Sequence, residues 1–168
     1  MITHKAKTFV VAMVAVLGLS ACSSIDCPLN NRVYASFRLA GDVSTLTDTL
    51  TVSTPRTIDN ADEDTVLINR LTQTDSLSLP MSYQRTEDIY YFTLVQKDTQ
   101  LKTIDTLWVS KENLPHFESV DCNPVMFHTI NGVRFTQHAI DDIQVNNNKV
   151  THNDAKAHFL IYLKNRDN

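Results

Sequence analysis

His116, Ser119 and Asp121 are the residue types of a nucleophilic relay, and they stand close together in this chain. A serine hydroxyl needs a base to take its proton and an acid to orient that base. Such relays are defined by geometry rather than by order along the chain, so the spacing alone predicts no catalysis here. Asp141 and Asp142 supply paired carboxylates, but neighbours on a strand point to opposite faces and are poorly placed to share one substrate. Beyond residue 21 the histidines are His116, His128, His138, His152 and His158, and none has the His-x-x-x-His spacing of a zinc helix. His128 and His138 could meet across a hairpin turning at Gly132. Packing or surface roles account for all of them more simply. Asp59, Asn60, Asp62, Glu63 and Asp64 offer the oxygens that calcium prefers. The central Gly and distal Glu of a calcium loop are missing, so this stretch reads as a solvated charge run. The expectation is a protein that is not an enzyme, with no metal and no cofactor.

Glycine narrows the chemistry further. Only Gly41 and Gly132 lie beyond Gly18. Phosphate-cradling loops need closely spaced glycines, and a Gly-x-Ser-x-Gly nucleophile elbow needs two at fixed spacing. Neither can be written. Residues 1–21 hold two of the fifteen Lys and Arg residues and none of the nineteen acids, which leaves the remainder with a formal charge of −6. A chain of that sign is a poor partner for a phosphate backbone, so nucleic-acid binding is not expected.

The N-terminus carries the strongest signal. Lys5 and Lys7 precede an apolar run from Phe9 to Leu19, which ends in Leu19-Ser20-Ala21-Cys22. The run is shorter than the ~20 residues needed to span a bilayer and suits the apolar region of a secretory signal. Its last four residues resemble the lipobox of bacterial lipoproteins, in which the cysteine is acylated and becomes the first residue of the mature chain. An ordinary secretory signal with an incidental cysteine is the competing reading. The resemblance implies a signal over 1–21, lipidation at Cys22 and an outer-membrane location, since Ser23 rather than Asp follows the cysteine. Cys27 and Cys122 remain, and in an oxidising compartment they are expected to pair, free thiols being the alternative.

The elements that position these residues read as strands. Val33, Ala35, Phe37 and Leu39 alternate with polar neighbours, as do Leu77, Leu79 and Met81, and Phe159, Ile161 and Leu163. Residues 89–95 are apolar on both faces and predict a central strand. Further strands are expected over 46–54, 65–70, 103–110, 125–130, 133–137 and 142–145. Pro80 belongs at an edge or bulge, because it cannot donate to a central ladder. The sum is nine or ten short strands, which predicts an all-β fold: a single immunoglobulin-like sandwich over 32–168, after an anchored segment at 22–31. A closed barrel is the alternative. Asp48-Thr49-Leu50-Thr51-Val52 echoes Asp105-Thr106-Leu107-Trp108-Val109, with Leu and Val expected to face the core. Trp108 is expected in the core rather than on a sugar-binding platform with Tyr34, Tyr90 and Tyr91.

Several stretches together resemble a small lipoprotein family of unknown function from Bacteroidota. They are Cys27-Pro28, 48–52, Leu79-Pro80-Met81-Ser82-Tyr83, 105–107, 116–122 and 138–143. The resemblance implies a β-sandwich lipoprotein of the cell envelope and carries over no catalytic residue and no ligand. The resulting expectation is a non-catalytic, lipid-anchored accessory subunit of an outer-membrane protein complex. A glycan- or ligand-binding module is the alternative, and an envelope hydrolase ranks last. Only four residues separate Cys22 from Cys27. A Cys27–Cys122 bond would therefore hold Cys122, His116, Phe117 and Pro124 on the membrane-proximal side.

Overall fold

A computed structural model describes residue 27 and residues 32–56, 64–152 and 154–165. The expected signal, Cys22, residues 28–31 and most of the acidic run (Asp59, Asn60, Asp62 and Glu63) lie outside the described residues. Asp64 alone of that run is described, just before a strand.

The fold is all-β. Its strands are β1 (Tyr34–Ala40), β2 (Thr49–Thr54), β3 (Thr65–Leu71), β4 (Ser76–Pro80), β5 (Glu87–Val95), β6 (Lys102–His116), β7 (Val125–Phe135), β8 (Ile140–Val145), β9 (Lys149–Val150) and β10 (Phe159–Leu163). They form two sheets, ordered β4-β1-β10-β8 and β3-β2-β5-β6-β7-β9. All pairings are antiparallel except that of β1 with β10, which is parallel.

The two sheets share one core. Phe37 on β1 stacks on Phe159 of β10, with ring centroids 4.6 Å apart. From the other sheet, Tyr90 and Phe92 present their rings edge-on to Phe37 at 6.4 and 6.2 Å. Alternation puts these side chains there. Leu50 and Val52, like Leu107 and Val109 in the echoed segment, are all buried. β5 sits between β2 and β6, as its two apolar faces predict. Pro80 ends β4, an edge strand, where its missing N–H costs no ladder bond.

Three expectations are corrected. Residues 125–130 and 133–137, expected as separate strands around a turn at Gly132, are one strand, β7, because its partner β6 is long enough to hold it straight. Ser110 pairs with Gly132 and Lys111 with Ile130, so Asn131 is the extra residue of a bulge, not a turn. His128 and His138 therefore do not meet. His128 is buried on β7, while His138 lies past its end and is exposed. Trp108 is not a core residue. It occupies the outward parity of β6 between Leu107 and Val109, half-buried, with the Arg134 guanidinium 5.0 Å from its ring centroid.

Candidate functional site

β6 pairs with β5 only as far as Ser110. Its last residues pair with β7 alone, up to His116 opposite Val125. Pro115 is accommodated there because no strand lies on its other side. Residues 117–124 then form the apex between β6 and β7. A turn closes it, with the Cys122 N–H donating to the Ser119 carbonyl at 3.3 Å, which puts Val120 and Asp121 at the corner. Val120 is 98% exposed and Phe117 63%. Leu114, just before the apex, is also exposed. Cys122 is buried at the base and joined by a disulfide to Cys27, with Cα atoms 5.4 Å apart. His116 stacks on Phe127 at 4.4 Å, and His152 meets the same ring edge-on at 5.5 Å. The N-terminal end of the described chain is thus fastened at the base of a turn that exposes Phe117 and Val120.

The relay types noticed in the sequence do not form a relay. Ser119 Oγ accepts from the Asp121 backbone N–H, and the His116 ring is engaged by Phe127. A different set does come together. Ser36 Oγ lies 2.9 Å from His158 Nδ1, and His158 Nε2 lies 3.0 Å from Asp154 Oδ2, beside an open cleft of about 220 Å³. The Ser36 backbone N–H also donates to Nδ1, at 2.9 Å. That bond fixes Nδ1 as the acceptor and uses its one lone pair. Protonating Nδ1, as a general base must, would set two N–H donors against each other. His158 is instead a strut. Its Nε2–H reaches Asp154 and the Lys149 carbonyl, and its own backbone N–H donates to the Ser36 carbonyl at 2.9 Å. No sequence pattern marked this set, because Ser36 and His158 are 122 positions apart.

The inward face of β6 has a charge at each end of its apolar pair. Asp105 and Lys111 are both buried and flank Leu107 and Val109. Toward the apex, Lys111 Nζ donates to the Ser82 and Arg85 carbonyls and to Asn113 Oδ1, and lies 3.6 Å from Asp88. Three acceptors around one ammonium define a charged lysine, although burial lowers its pKa against the pull of Asp88. Burial likewise raises the Asp88 carboxyl, against Lys111, the Ser82 N–H and Arg85. Asn113 Oδ1 also faces His128 Nδ1 at 2.7 Å. Burial, and secondarily the Lys111 charge, push the His128 pKa down to about 4, so this histidine is neutral in the fold. These groups close the turn after β4 and support the base of the apex.

Asp105 does the same at the opposite end. Its Oδ1 accepts from the His138 N–H at 2.7 Å and the Thr136 hydroxyl at 2.8 Å. Oδ2 accepts from the Ala139 and Ile140 N–H groups at 2.7 and 2.9 Å. Burial by itself would raise this pKa; the converging N–H and hydroxyl donors outweigh it and lower it. Asp141 and Asp142 lie on β8, an edge strand, with Asp141 exposed and Asp142 half-buried.

Far from the apex, loops 42–48, 96–99 and 163–165 enclose an open cleft of about 540 Å³. Its rim mixes Asp42, Asp48, Lys97, Asp98 and Lys164, with Leu94 and Leu163 also lining it. Lys164 is committed to the Gln137 carbonyl at 2.7 Å. Among the described residues no three His, Cys, Asp or Glu side chains are grouped to hold a metal, and no helix is long and apolar enough to cross a membrane.

Fold and site together define a two-sheet, all-β domain whose only described cysteines form a cross-link beneath an exposed apolar turn. The chain belongs to DUF6452, a family of unknown function, whose model matches residues 49–163. That match takes in β2 through β10 and Cys122. No curated protein and no solved structure matches the chain.

Proposed function

We propose that this protein is a non-catalytic, lipid-anchored lipoprotein of the cell envelope, serving as an accessory subunit to an outer-membrane protein. The observation that carries the reading is the disulfide. It fastens Cys27, five positions after Cys22 of the lipobox-like sequence, to the loop that bears Phe117 and Val120. Five extended steps reach only ~17 Å, so an anchor at Cys22 would hold this end of the domain against the bilayer. The lipobox and a Bacteroidota origin belong to this proposal. So does the immunoglobulin-like sandwich, which the shared aromatic core and the largely antiparallel pairing support. The occupied lone pair of His158 supports the non-catalytic reading over the hydrolase.

Cys22→Ala should move the protein from membranes to the soluble periplasm, because acyl chains supply the attachment. Retention of the variant on membranes in high salt would count against lipid anchoring. A flexible Gly/Ser spacer of about twenty residues after Ser24 lengthens the tether by ~25 Å root-mean-square. It should weaken co-purification of an outer-membrane partner while leaving lipidation intact. A second reading, a glycan- or ligand-binding module, is favoured by one observation. Trp108 and Tyr91 lie on the outward face of the six-stranded sheet, near each other in register.

A further inference from the structure

We propose that the turn of residues 117–121 inserts Phe117 and Val120 into the lipid interface, so that the domain stands on the membrane on an apolar foot beside its acyl anchor. This rests on the lipid-anchoring reading and adds to it a second, protein-made contact with the bilayer. The side chains are suited to lipid and poorly suited to water. Val120 is almost wholly exposed at a turn corner where a polar residue is usual, and Phe117 precedes it by three positions with most of its ring in solvent. Turns built only to reverse a chain have no need of either.

The occupant follows from where the chain leads. Cys27 and Cys122 are 5.4 Å apart, and Val120 is two residues from Cys122. Counting five extended steps back from Cys27, Val120 lies no more than about 30 Å from Cys22, and far closer in any bent path. Acyl chains at Cys22 would hold this turn within that reach of the bilayer surface. Phe117 and Val120 are more exposed than Leu114 just before them, and an interfacial segment sinks ~5–10 Å to reach the acyl boundary.

Charge defines the kind of surface. Residues 112–124 contain Glu112, Glu118 and Asp121 and no Lys or Arg. The foot is therefore not drawn by anionic headgroups. It enters by apolar burial, and the acids at its sides stay in the headgroup layer. Contact should be insensitive to salt on zwitterionic lipid and weaker on anionic lipid, where the acids are repelled and added salt relieves the repulsion. Strand geometry sets the orientation. β6 has fifteen residues, from Lys102 to His116, and spans about 47 Å at ~3.3 Å per residue. With its His116 end at the membrane, the turn at 96–101 and the 540 Å³ cleft face away from it.

The test uses the full-length lipidated protein in vesicles of brominated phosphatidylcholine, on a Trp108→Phe background. Phe117→Trp and Val120→Trp each report the foot, and Thr99→Trp reports the far end. Mass spectrometry of the mature N-terminus reads the acyl chains separately. The expected result is acylated Cys22, with emission of the foot variants quenched by about half and blue-shifted, and Thr99→Trp quenched hardly at all. Two foot variants guard against one that fails to fold. An acylated protein that floats with vesicles but shows unquenched tryptophan at both 117 and 120 overturns the foot and leaves the anchor standing. The foot is likewise overturned if those positions become shielded only on adding an outer-membrane protein, since the occupant is then protein. Equal quenching at 117 and 99 overturns the orientation. Absence of acyl chains removes the anchoring reading, and the foot with it.

Discussion

Replacing Asp105 by Asn is the sharpest test of how this domain is held together. The change removes one charge and hardly any volume. In the fold, Oδ1 accepts from the His138 N–H and the Thr136 hydroxyl, and Oδ2 from the Ala139 and Ile140 N–H groups. An asparagine keeps one oxygen and turns an NH2 toward whichever pair the other oxygen served. If that pair is Ala139 and Ile140, two buried N–H donors face a third donor. Each buried group left unsatisfied costs ~1–3 kcal/mol, so the loss is about 2–6 kcal/mol. For a domain near this size each kcal/mol moves Tm by ~2–4 °C, so a drop of roughly 4–24 °C is expected. Circular dichroism melts of purified wild type, Asp105→Asn and the exposed control Asp141→Asn measure it. The pH dependence gives a second readout. The folded state holds this carboxyl below its unfolded value, so the stabilisation is complete above pH ~3.9 and is lost as pH falls through the folded pKa. Asp105→Asn should flatten the acid limb there. A variant melting within about 2 °C of wild type would refute the assignment of the 136–140 corner to this carboxylate.

Other expectations concern the Lys111 end of β6 and the disulfide. Because His128 is held near pKa 4 against ~6.5 unfolded, the unfolded chain binds the extra proton between those values. Stability should fall by about 3 kcal/mol as pH drops from 6.5 to 4, a slope that His128→Gln should flatten in melts across that range. Lys111→Met removes the buried cation beside Asp88 and leaves it only Arg85 at 3.9 Å and the Ser82 N–H, costing up to ~3–5 kcal/mol, and adding Asp88→Leu should recover part of the loss. The double variant Cys27→Ser with Cys122→Ser should lose at most ~4.7 kcal/mol while keeping its membrane attachment. Peptide mapping that finds both thiols free in wild type from an oxidising compartment would sink that expectation.

How much of the fold is legible in the sequence depends on range. Strand parity is local, and it places Leu50, Val52, Leu107 and Val109 correctly on the inner face. The same parity puts Trp108 outside, between two core residues, and a general preference for buried tryptophan is the wrong guide. Asn131-Gly132 carries a hairpin signature, yet pairing along a fifteen-residue β6 makes it a bulge. Local turn chemistry yields where a long ladder offers more bonds. The polar groups inside are the least visible. Asp105 and Lys111 share parity with Leu107 and Val109, but their partners come from residues 136–140, 82–88 and 113. The Ser36–His158–Asp154 strut, joined across 122 positions, leaves no trace in spacing. The cysteine pair is legible because only two cysteines remain to be matched.

The parallel pairing of β1 with β10 also fixes a timetable. Phe37 meets Phe159 only when nearly the whole chain is present, whereas its contact with Leu77 on β4 is reached far sooner. β8 has β10 as its only sheet neighbour, so the smaller sheet cannot close until the last strand arrives. Contacts so distant in sequence make folding slow. During synthesis β1 and β4 wait as a two-stranded pair, too small to be stable alone. A chain arranged in this way stays open until its end has been made, and a truncation just before Phe159 would leave it permanently unlatched.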